Sequence, residues 1–176
     1  MPIGRCQTVV VSNQRLEVQR LIPAPAETIF SLLCDPDGHV QIDATGMLMS
    51  ADGDAVAKAG DTFDVHMDRE ALNDVPLGKY TVTIRITTFD RDREIAWTIE
   101  HPRIDPPMGY VYGYRLEPAG DDTLVTSYYD WSGAHEVHLA RINFPVIPES
   151  ALRATLGILE RTVARRGADV DRHATD

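Results

Sequence analysis

Three tyrosines recur at a spacing of two in the segment GYVYGYRL, residues 109–116. If this segment is a β-strand, Tyr110, Tyr112 and Tyr114 project from the same face of its sheet. Phenol rings stack, and their hydroxyls donate and accept hydrogen bonds, so such a row suits three environments. These are a packed core, a platform on which nucleic-acid bases stack, and a cavity that holds an aromatic or apolar molecule.

A second candidate for chemistry is HEVH, in which His135, Glu136 and His138 lie within four residues. The spacing differs from that of the helical HExxH pair that binds zinc, and no cysteine or third ligand is near in sequence. A solvated loop is the better interpretation. The chain also contains no GxGxxG, P-loop or GxSxG motif, and we predict neither a metal nor a cofactor.

The charge balance bears on the nucleic-acid interpretation of the tyrosines. Seventeen Lys and Arg residues against 27 Asp and Glu residues give a net charge of -10. A chain this acidic is repelled by phosphate backbones and by anionic lipid surfaces. Stacking of bases on aromatic rings needs an electropositive groove, and the densest basic group, at residues 161–166, lies at the end of a helix. We therefore predict no binding of nucleic acid.

Composition also indicates the setting in which the protein works. No apolar run approaches the ~20 residues needed to cross a bilayer, and the first residues lack the apolar core of a signal peptide. Cys6 and Cys34 form neither a disulfide framework nor a zinc spacing. We expect a cytoplasmic protein without stable membrane insertion. One domain over residues 15–167 is predicted, with residues 1–14 and 168–176 as flexible termini.

The elements that must position the tyrosines follow from hydrophobic periodicity. Residues 16–22 alternate as a half-buried strand, and Pro25 and Asp35 mark the starts of two short helices. Alternation and short polar turns over residues 46–132 predict an antiparallel meander. A long helix is then predicted over residues 148–167. Its apolar stripe consists of Leu152, Leu156, Leu159 and Val163.

This order of elements predicts an α+β fold. One antiparallel sheet of about seven strands has an apolar face, and the long C-terminal helix is the element left to cover it. Two short helices follow the first strand. A strongly curved sheet wrapped around one helix is hard to fill with side chains, so we expect a cavity between them, which is the usual form of a small-molecule site.

Four dispersed segments carry a resemblance: IPAPAETIFSLLCDPDGH, AGDTFDV, FDRDREIAW and YRLEPAGDDTLVT. In this order, over about residues 16–166, they resemble the START-like helix-grip (SRPBCC) superfamily, and within it the polyketide cyclase/dehydrase and lipid-transport group. The chain departs from that pattern at residues 39–42, where many members have a tryptophan, and in the long polar segment 133–147. The resemblance implies a helix-grip fold around a hydrophobic ligand. It implies no activity, because carriers, sensors and cyclases share this fold.

The family pattern places Leu116 in the core, which turns Tyr112 and Tyr114 inward toward the long helix. The alternative is that these tyrosines only fill the core. Sheet residues of the same inward parity, with two residues of the helix, complete the predicted site. The predicted ligand-binding residues are Phe63, Val65, Met67, Tyr80, Val82, Trp97, Ile99, Tyr110, Tyr112, Tyr114, Tyr129, Trp131, Leu152 and Leu156.

The sequence leaves open which side chains of the next strand, residues 123–132, point inward. Val125 should point inward, which takes Tyr129 and Trp131 with it. A β-bulge would instead bring in Tyr128 and Asp130.

By parity the interior holds almost no carboxylate or histidine, and His39 enters only if the second short helix caps the cavity mouth. Acid–base catalysis needs a titratable group inside the cavity, so this interior favours binding over turnover. We predict binding or transport of a small hydrophobic or aromatic molecule, lipid-like or polyketide-like.

Two alternative functions remain. The first is a cofactor-free polyketide cyclase or dehydrase, with Tyr112, Tyr114 or Asp130 as polar guides that orient the substrate. The second is a protein-binding module whose cavity is vestigial. A homodimer through an exposed sheet edge is a further hypothesis.

Overall fold

The computed structural model describes residues 9–73 and 76–173. It contains one curved antiparallel sheet in the order β1-β2-β8-β7-β6-β5-β4-β3. The strands are β1 Val9–Ser12, β2 Arg15–Ile22, β3 Leu48–Asp52, β4 Thr62–Asp68, β5 Lys79–Asp90, β6 Glu94–Glu100, β7 Val111–Ala119 and β8 Asp122–Asp130. The helices are α1 Ala26–Cys34, α2 Pro36–Ile42, α3 Glu136–Leu139 and α4 Glu149–His173. The predicted α+β architecture, a sheet around a long C-terminal helix, is confirmed.

Both ends of the chain differ in detail from the prediction. The sheet has eight strands rather than about seven, because β1 pairs with β2 from Val9 opposite Val18 to Ser12 opposite Arg15. Helix α4 runs past Gly167, which lacks the positive φ that commonly ends a helix. The other predicted flexible residues, 1–8 and 174–176, lie outside the described residues, as does Cys6.

Alternating sequence produces the inner face of the sheet. Phe63, Val65 and Met67 of β4 are buried, while the residues between them are exposed or half-buried. In β5 the register shifts between Ile86 and Thr88. Such a bulge bends its strand and increases the local twist, which helps the sheet to curve around the helices.

The open question about β8 is settled by its pairing with β7. The register is continuous, with Tyr112 opposite Tyr129 and Tyr114 opposite Ser127. Tyr129 joins the hydrophobic core together with Trp131. No bulge interrupts this pairing.

The side chains of Tyr128 and Asp130 accordingly lie on the outer face of the sheet. The Arg15 guanidinium carbon stands 4.2 Å from the centre of the Tyr128 ring, and the Tyr128 hydroxyl donates to Glu94 at 2.8 Å. Arg15 Nη1 also donates to Asp130 Oδ2 at 2.8 Å. Asp130 therefore does not reach the interior as a polar guide.

The two short helices form a tight corner. Asp35 caps α2 by accepting from the Asp37 amide at 3.1 Å. Gly38 permits a close approach to α1, since a Cβ there would lie 2.0 Å from the Leu32 carbonyl oxygen. The Cys34 carbonyl accepts from the Val56 amide at 2.9 Å. The last turn of α1 thus finds hydrogen-bond partners in the corner and in the loop that follows.

Helix α4 closes the interior. It packs against β2, β8, α1 and α2, and its predicted stripe is buried. Arg166 donates to Asp35 at 3.0 Å and to Gln41 at 2.9 Å, which ties α4 to the corner of α1 and α2. The stripe residues are Leu152, Leu156, Leu159 and Val163.

Candidate ligand-binding cavity

A cavity of about 150 Å³ lies between the inner face of the sheet, α2 and the first turns of α4. Its wall is mostly apolar, with a few polar groups contributed by α2, by the loop before β3, by β7 and by β8. A cavity of roughly this volume holds one benzene ring. The wall consists of His39, Ile42, Asp43, Thr45, Met47, Leu48, Val65, Met67, Ile84, Trp97, Ile99, Tyr112, Gly113, Tyr114, Ser127, Tyr128, Ile147, Ala151, Leu152 and Thr155.

The predicted site residues divide into two groups. Those on the cavity wall are Val65, Met67, Trp97, Ile99, Tyr112, Tyr114 and Leu152. Those packed in or against the surrounding core are Phe63, Tyr80, Val82, Tyr110, Tyr129, Trp131 and Leu156. Contact of either group with a ligand stays a prediction.

An array of aromatic rings forms one side of the cavity and continues away from it. The Trp97 ring lies 5.9 Å from the Tyr114 ring and 6.4 Å from that of Tyr112, centre to centre. Tyr112 in turn stacks on Tyr129 at 4.4 Å with an angle of 8° between the rings. Offset and edge-on contacts at these distances are the favoured geometries of aromatic pairs. One side of the cavity is therefore aromatic.

The segment over residues 133–147 covers the far end of this array. Its helix α3 is short, and the Phe144 ring stacks on Trp131 at 6.2 Å. Ile147 reaches the cavity wall itself. The segment thus connects the aromatic array to the first turn of α4.

The tyrosines of the array are neutral at pH 7. Burial raises the pKa of Tyr110, Tyr112 and Tyr114 above the ordinary value of 10, and it raises the pKa of Tyr129 to about 12. Tyr129 Oη is buried without a hydrogen-bond partner, although the Tyr112 hydroxyl and the Val146 backbone lie close enough to moderate its pKa. These hydroxyls therefore keep their protons at pH 7.

His39 is the polar residue that α2 brings into the cavity wall. Its Nε2 lies 2.8 Å from the Leu33 carbonyl oxygen, so Nε2 carries the proton and donates. The ring packs between Phe63 at 5.0 Å and Trp97 at 4.7 Å, centre to centre. Burial lowers the pKa of His39 to about 4, against the opposing effects of the Leu33 hydrogen bond and the Asp35 charge. The imidazole is therefore neutral at pH 7, with Nδ1 as an acceptor.

Two further polar wall residues, Asp43 and Thr45, come from the loop before β3. The Asp43 carboxylate accepts from the Thr45 amide at 2.8 Å, from the Thr45 hydroxyl at 2.6 Å and from the Leu48 amide at 3.0 Å. These hydrogen bonds stabilise the turn before β3. Neither residue was predicted from the sequence, because a loop of this kind has no hydrophobic period. An Asp two residues before a Thr, typical of a side-chain-stabilised turn, is the signal that could have marked it.

The HEVH residues lie away from the cavity, in and before α3. His135 Nδ1 accepts from the Val137 amide at 3.3 Å, and His138 Nε2 donates to the Pro106 carbonyl at 2.7 Å. Among residues 9–73 and 76–173, no three His, Cys, Asp or Glu side chains come together as a metal site. In the same part of the chain, no helix combines the length and the apolar character needed to cross a membrane.

With the cavity described, comparison with known proteins assigns the family. The model of the polyketide cyclase/dehydrase and lipid transport family matches residues 13–166, most of the chain. The chain belongs to this family. No curated protein matches it in sequence.

Several solved structures share the fold of this family member at low sequence identity. Protein CV1439 from Chromobacterium violaceum is 14% identical with a TM-score of 0.61, covering 86% of this chain and 98% of its own. Protein Ms6760 from Mycobacterium smegmatis is 16% identical with a TM-score of 0.62, covering 89% and 96%. The Aha1 dimer from Colwellia psychrerythraea is 17% identical with a TM-score of 0.56, covering 85% and 95%. At such identity the likeness shows the fold alone.

Proposed function

We propose that this protein binds a small, uncharged hydrophobic or aromatic molecule in the cavity between the sheet and α4, and so carries or senses it. The observation that carries the proposal is the cavity of about 150 Å³ with one side formed by Trp97, Tyr112 and Tyr114. Membership of the polyketide cyclase/dehydrase and lipid transport family, in which hydrophobic ligands are expected, supports the proposal.

The volume refines the class of ligand. Pockets for drug-sized molecules usually occupy about 300–1,000 Å³, so the cavity as it stands suits one ring. A fatty acid or an extended polyketide would need side chains at the wall to move, and Ile147 and Leu152 line the helix side of the cavity. We therefore place compact aromatic molecules before lipids among the candidate ligands.

A pair of variants on α4 tests the proposal. Ala151 lines the cavity, whereas Ala154, on the same helix, is exposed. Ala151→Phe should fill the cavity with a ring, and Ala154→Phe adds the same ring outside it. Thermal unfolding would be followed with a panel of single-ring aromatics, fatty acids and polyketides. A ligand at ~100 times its dissociation constant should stabilise the wild type by about 2.7 kcal/mol.

The expected result is that Ala151→Phe abolishes this stabilisation and Ala154→Phe retains it. Native mass spectrometry of the purified protein would identify any ligand that it already carries. The proposal fails if no compound in the panel raises the melting temperature, or if Ala151→Phe responds as the wild type does.

The placement of His39 on the cavity wall favours a second candidate, a cofactor-free cyclase or dehydrase. His39 was expected in the interior only if the second short helix capped the cavity mouth, and His39 of α2 does line the cavity. Together with the Tyr112 and Tyr114 hydroxyls, the imidazole could orient a reactive chain. Incubation with polyketide-like substrates would show product with multiple turnovers, and Tyr114→Phe should abolish it. Binding without conversion would leave the carrier or sensor as the function.

We also keep the homodimer as a proposal. The sheet ends in two edge strands, β1 and β3, and unpaired edges are templates for association. The similar Aha1 from Colwellia psychrerythraea is described as a dimer. Light scattering after gel filtration should then give twice 19.5 kDa, and a mass of one chain would overturn the proposal.

A further inference from the structure

The two ring nitrogens of His39 have different roles, because one donates a hydrogen bond and the other is left to accept one. Because the Leu33 carbonyl can only accept, the proton of the neutral ring is fixed on Nε2. Nδ1 is left as a bare acceptor. Within residues 9–73 and 76–173, no group donates a hydrogen bond to it.

The His39 ring is also part of the cavity wall. The His39 side chain is otherwise enclosed by Phe63 and Trp97 and lines the cavity. The cavity is thus the space into which Nδ1 can accept a hydrogen bond.

The other polar groups of the wall restrict the charge of a ligand. The described cavity wall contains no Lys or Arg, so a carboxylate or phosphate would enter without a counter-ion at a high desolvation cost. Both Asp43 carboxylate oxygens already accept from Thr45 and Leu48. An anion therefore finds no counter-ion in this wall.

We propose that the ligand is a neutral single-ring aromatic that carries a hydroxyl group, a phenol, whose O–H donates to His39 Nδ1 while its ring packs against Trp97. This inference rests on the proposed function and names the chemical class of its ligand. A ring of that size matches a cavity of about 150 Å³. A donor on the ring matches the unpaired acceptor, which a ring without a donor would bury unpaired at a cost.

Phenol and toluene provide a matched pair of probes, since they differ only by hydroxyl against methyl. Their dissociation constants would be measured by calorimetry for the wild type and for His39→Phe, which keeps a ring between Phe63 and Trp97 but removes the acceptor. Benzoate is the charged comparison. The preference for phenol over toluene should fall by about tenfold in His39→Phe, as expected for one buried hydrogen bond. Benzoate should bind neither protein.

A second measurement does not depend on a variant. In the wild type, the ¹⁵N resonance of His39 Nδ1 should move upfield when phenol is added, because a bare ring nitrogen has become a hydrogen-bond acceptor. Toluene should leave it in place. This measurement decides the case if His39→Phe does not fold or loses toluene binding as well.

The possible results distinguish failure of the phenol assignment from failure of the proposed function. Loss of the phenol preference, or the shift of the Nδ1 resonance with phenol alone, supports the inference. If both probes bind with the same preference in the two proteins and Nδ1 does not respond, the phenol assignment is overturned and the hydrophobic cavity stands. If neither probe binds the wild type, the phenol assignment is overturned, and the panel with the Ala151→Phe variant decides whether the proposed function fails too.

Discussion

Acidification should destabilise this protein through His39, which is neutral in the folded state. Burial lowers the pKa of His39 to about 4 from its ordinary 6.5, so the unfolded chain gains a proton at a pH where the folded chain does not. The stability that this group contributes is complete above about pH 6.5 and is lost as the pH falls toward 4. At about 1.4 kcal/mol per pKa unit, the whole effect is about 3 kcal/mol, of which about 2 kcal/mol falls between pH 7 and pH 5.

Urea unfolding of the wild type and of His39→Phe at both pH values would measure this effect. The variant keeps a ring against Phe63 and Trp97 but cannot be protonated. All other titrating groups are common to the two proteins, so the difference between their pH responses isolates His39. The wild type should lose about 2 kcal/mol more than the variant between pH 7 and pH 5.

Equal losses in the two proteins would refute this reasoning. The burial of the ring, the tautomer assigned to it and its place on the cavity wall would then all need revision. An NMR titration of the His39 ring in the folded wild type gives an independent check. A midpoint near 6.5, the value of a solvated histidine, would contradict the structure directly.

Three further predictions concern packing and partners. Trp97→Ala should lower the free energy of unfolding by about 3–5 kcal/mol, and a loss under about 1 kcal/mol, measured in urea, would mean that the ring is not packed. Gly113→Ala should cost about 1–3 kcal/mol, because its Cβ would lie 2.4 Å from Tyr128 Cζ. Gly157→Ala in α4 meets no atom within 4 Å and should instead stabilise by up to about 1 kcal/mol; thermal unfolding with the same sign for both would contradict this. With a net charge of -10, the protein should not be retained on a DNA column at physiological salt, and retention would overturn that expectation.

The strands could be predicted because alternation is a local signal. Residues 62–67 alternate in sequence, and the structure has β4 as Thr62–Asp68. The inward facing of Trp97 follows from its own strand in the same way. The facing of β8 could not be decided locally, since YYDW offers an aromatic residue on either face. Its pairing with β7, which sets Tyr129 opposite Tyr112, decides it.

The place of His39 could be predicted only conditionally, because it depends on how two helices meet. Within PDGHVQI no period distinguishes an inward from an outward His39. Its position depends on Gly38, where the absence of a side chain lets α2 approach the end of α1. The same contact supplies the Leu33 carbonyl that fixes the proton on Nε2. Gly38 is visible in the sequence, but its packing against the end of α1 is not.

The corner of α1 and α2 also bears on the choice between binding and turnover. It buries His39 against rings, and that burial moves the pKa of His39 to about 4. A general base works best with a pKa near the working pH, so this histidine is a weak base at pH 7. Burial of Tyr112 and Tyr114, both in β7, raises their pKa and leaves them weaker acids. A wall in which the buried histidine and tyrosines are uncharged provides hydrogen bonds without proton transfer, which suits recognition of a neutral ligand better than conversion of it.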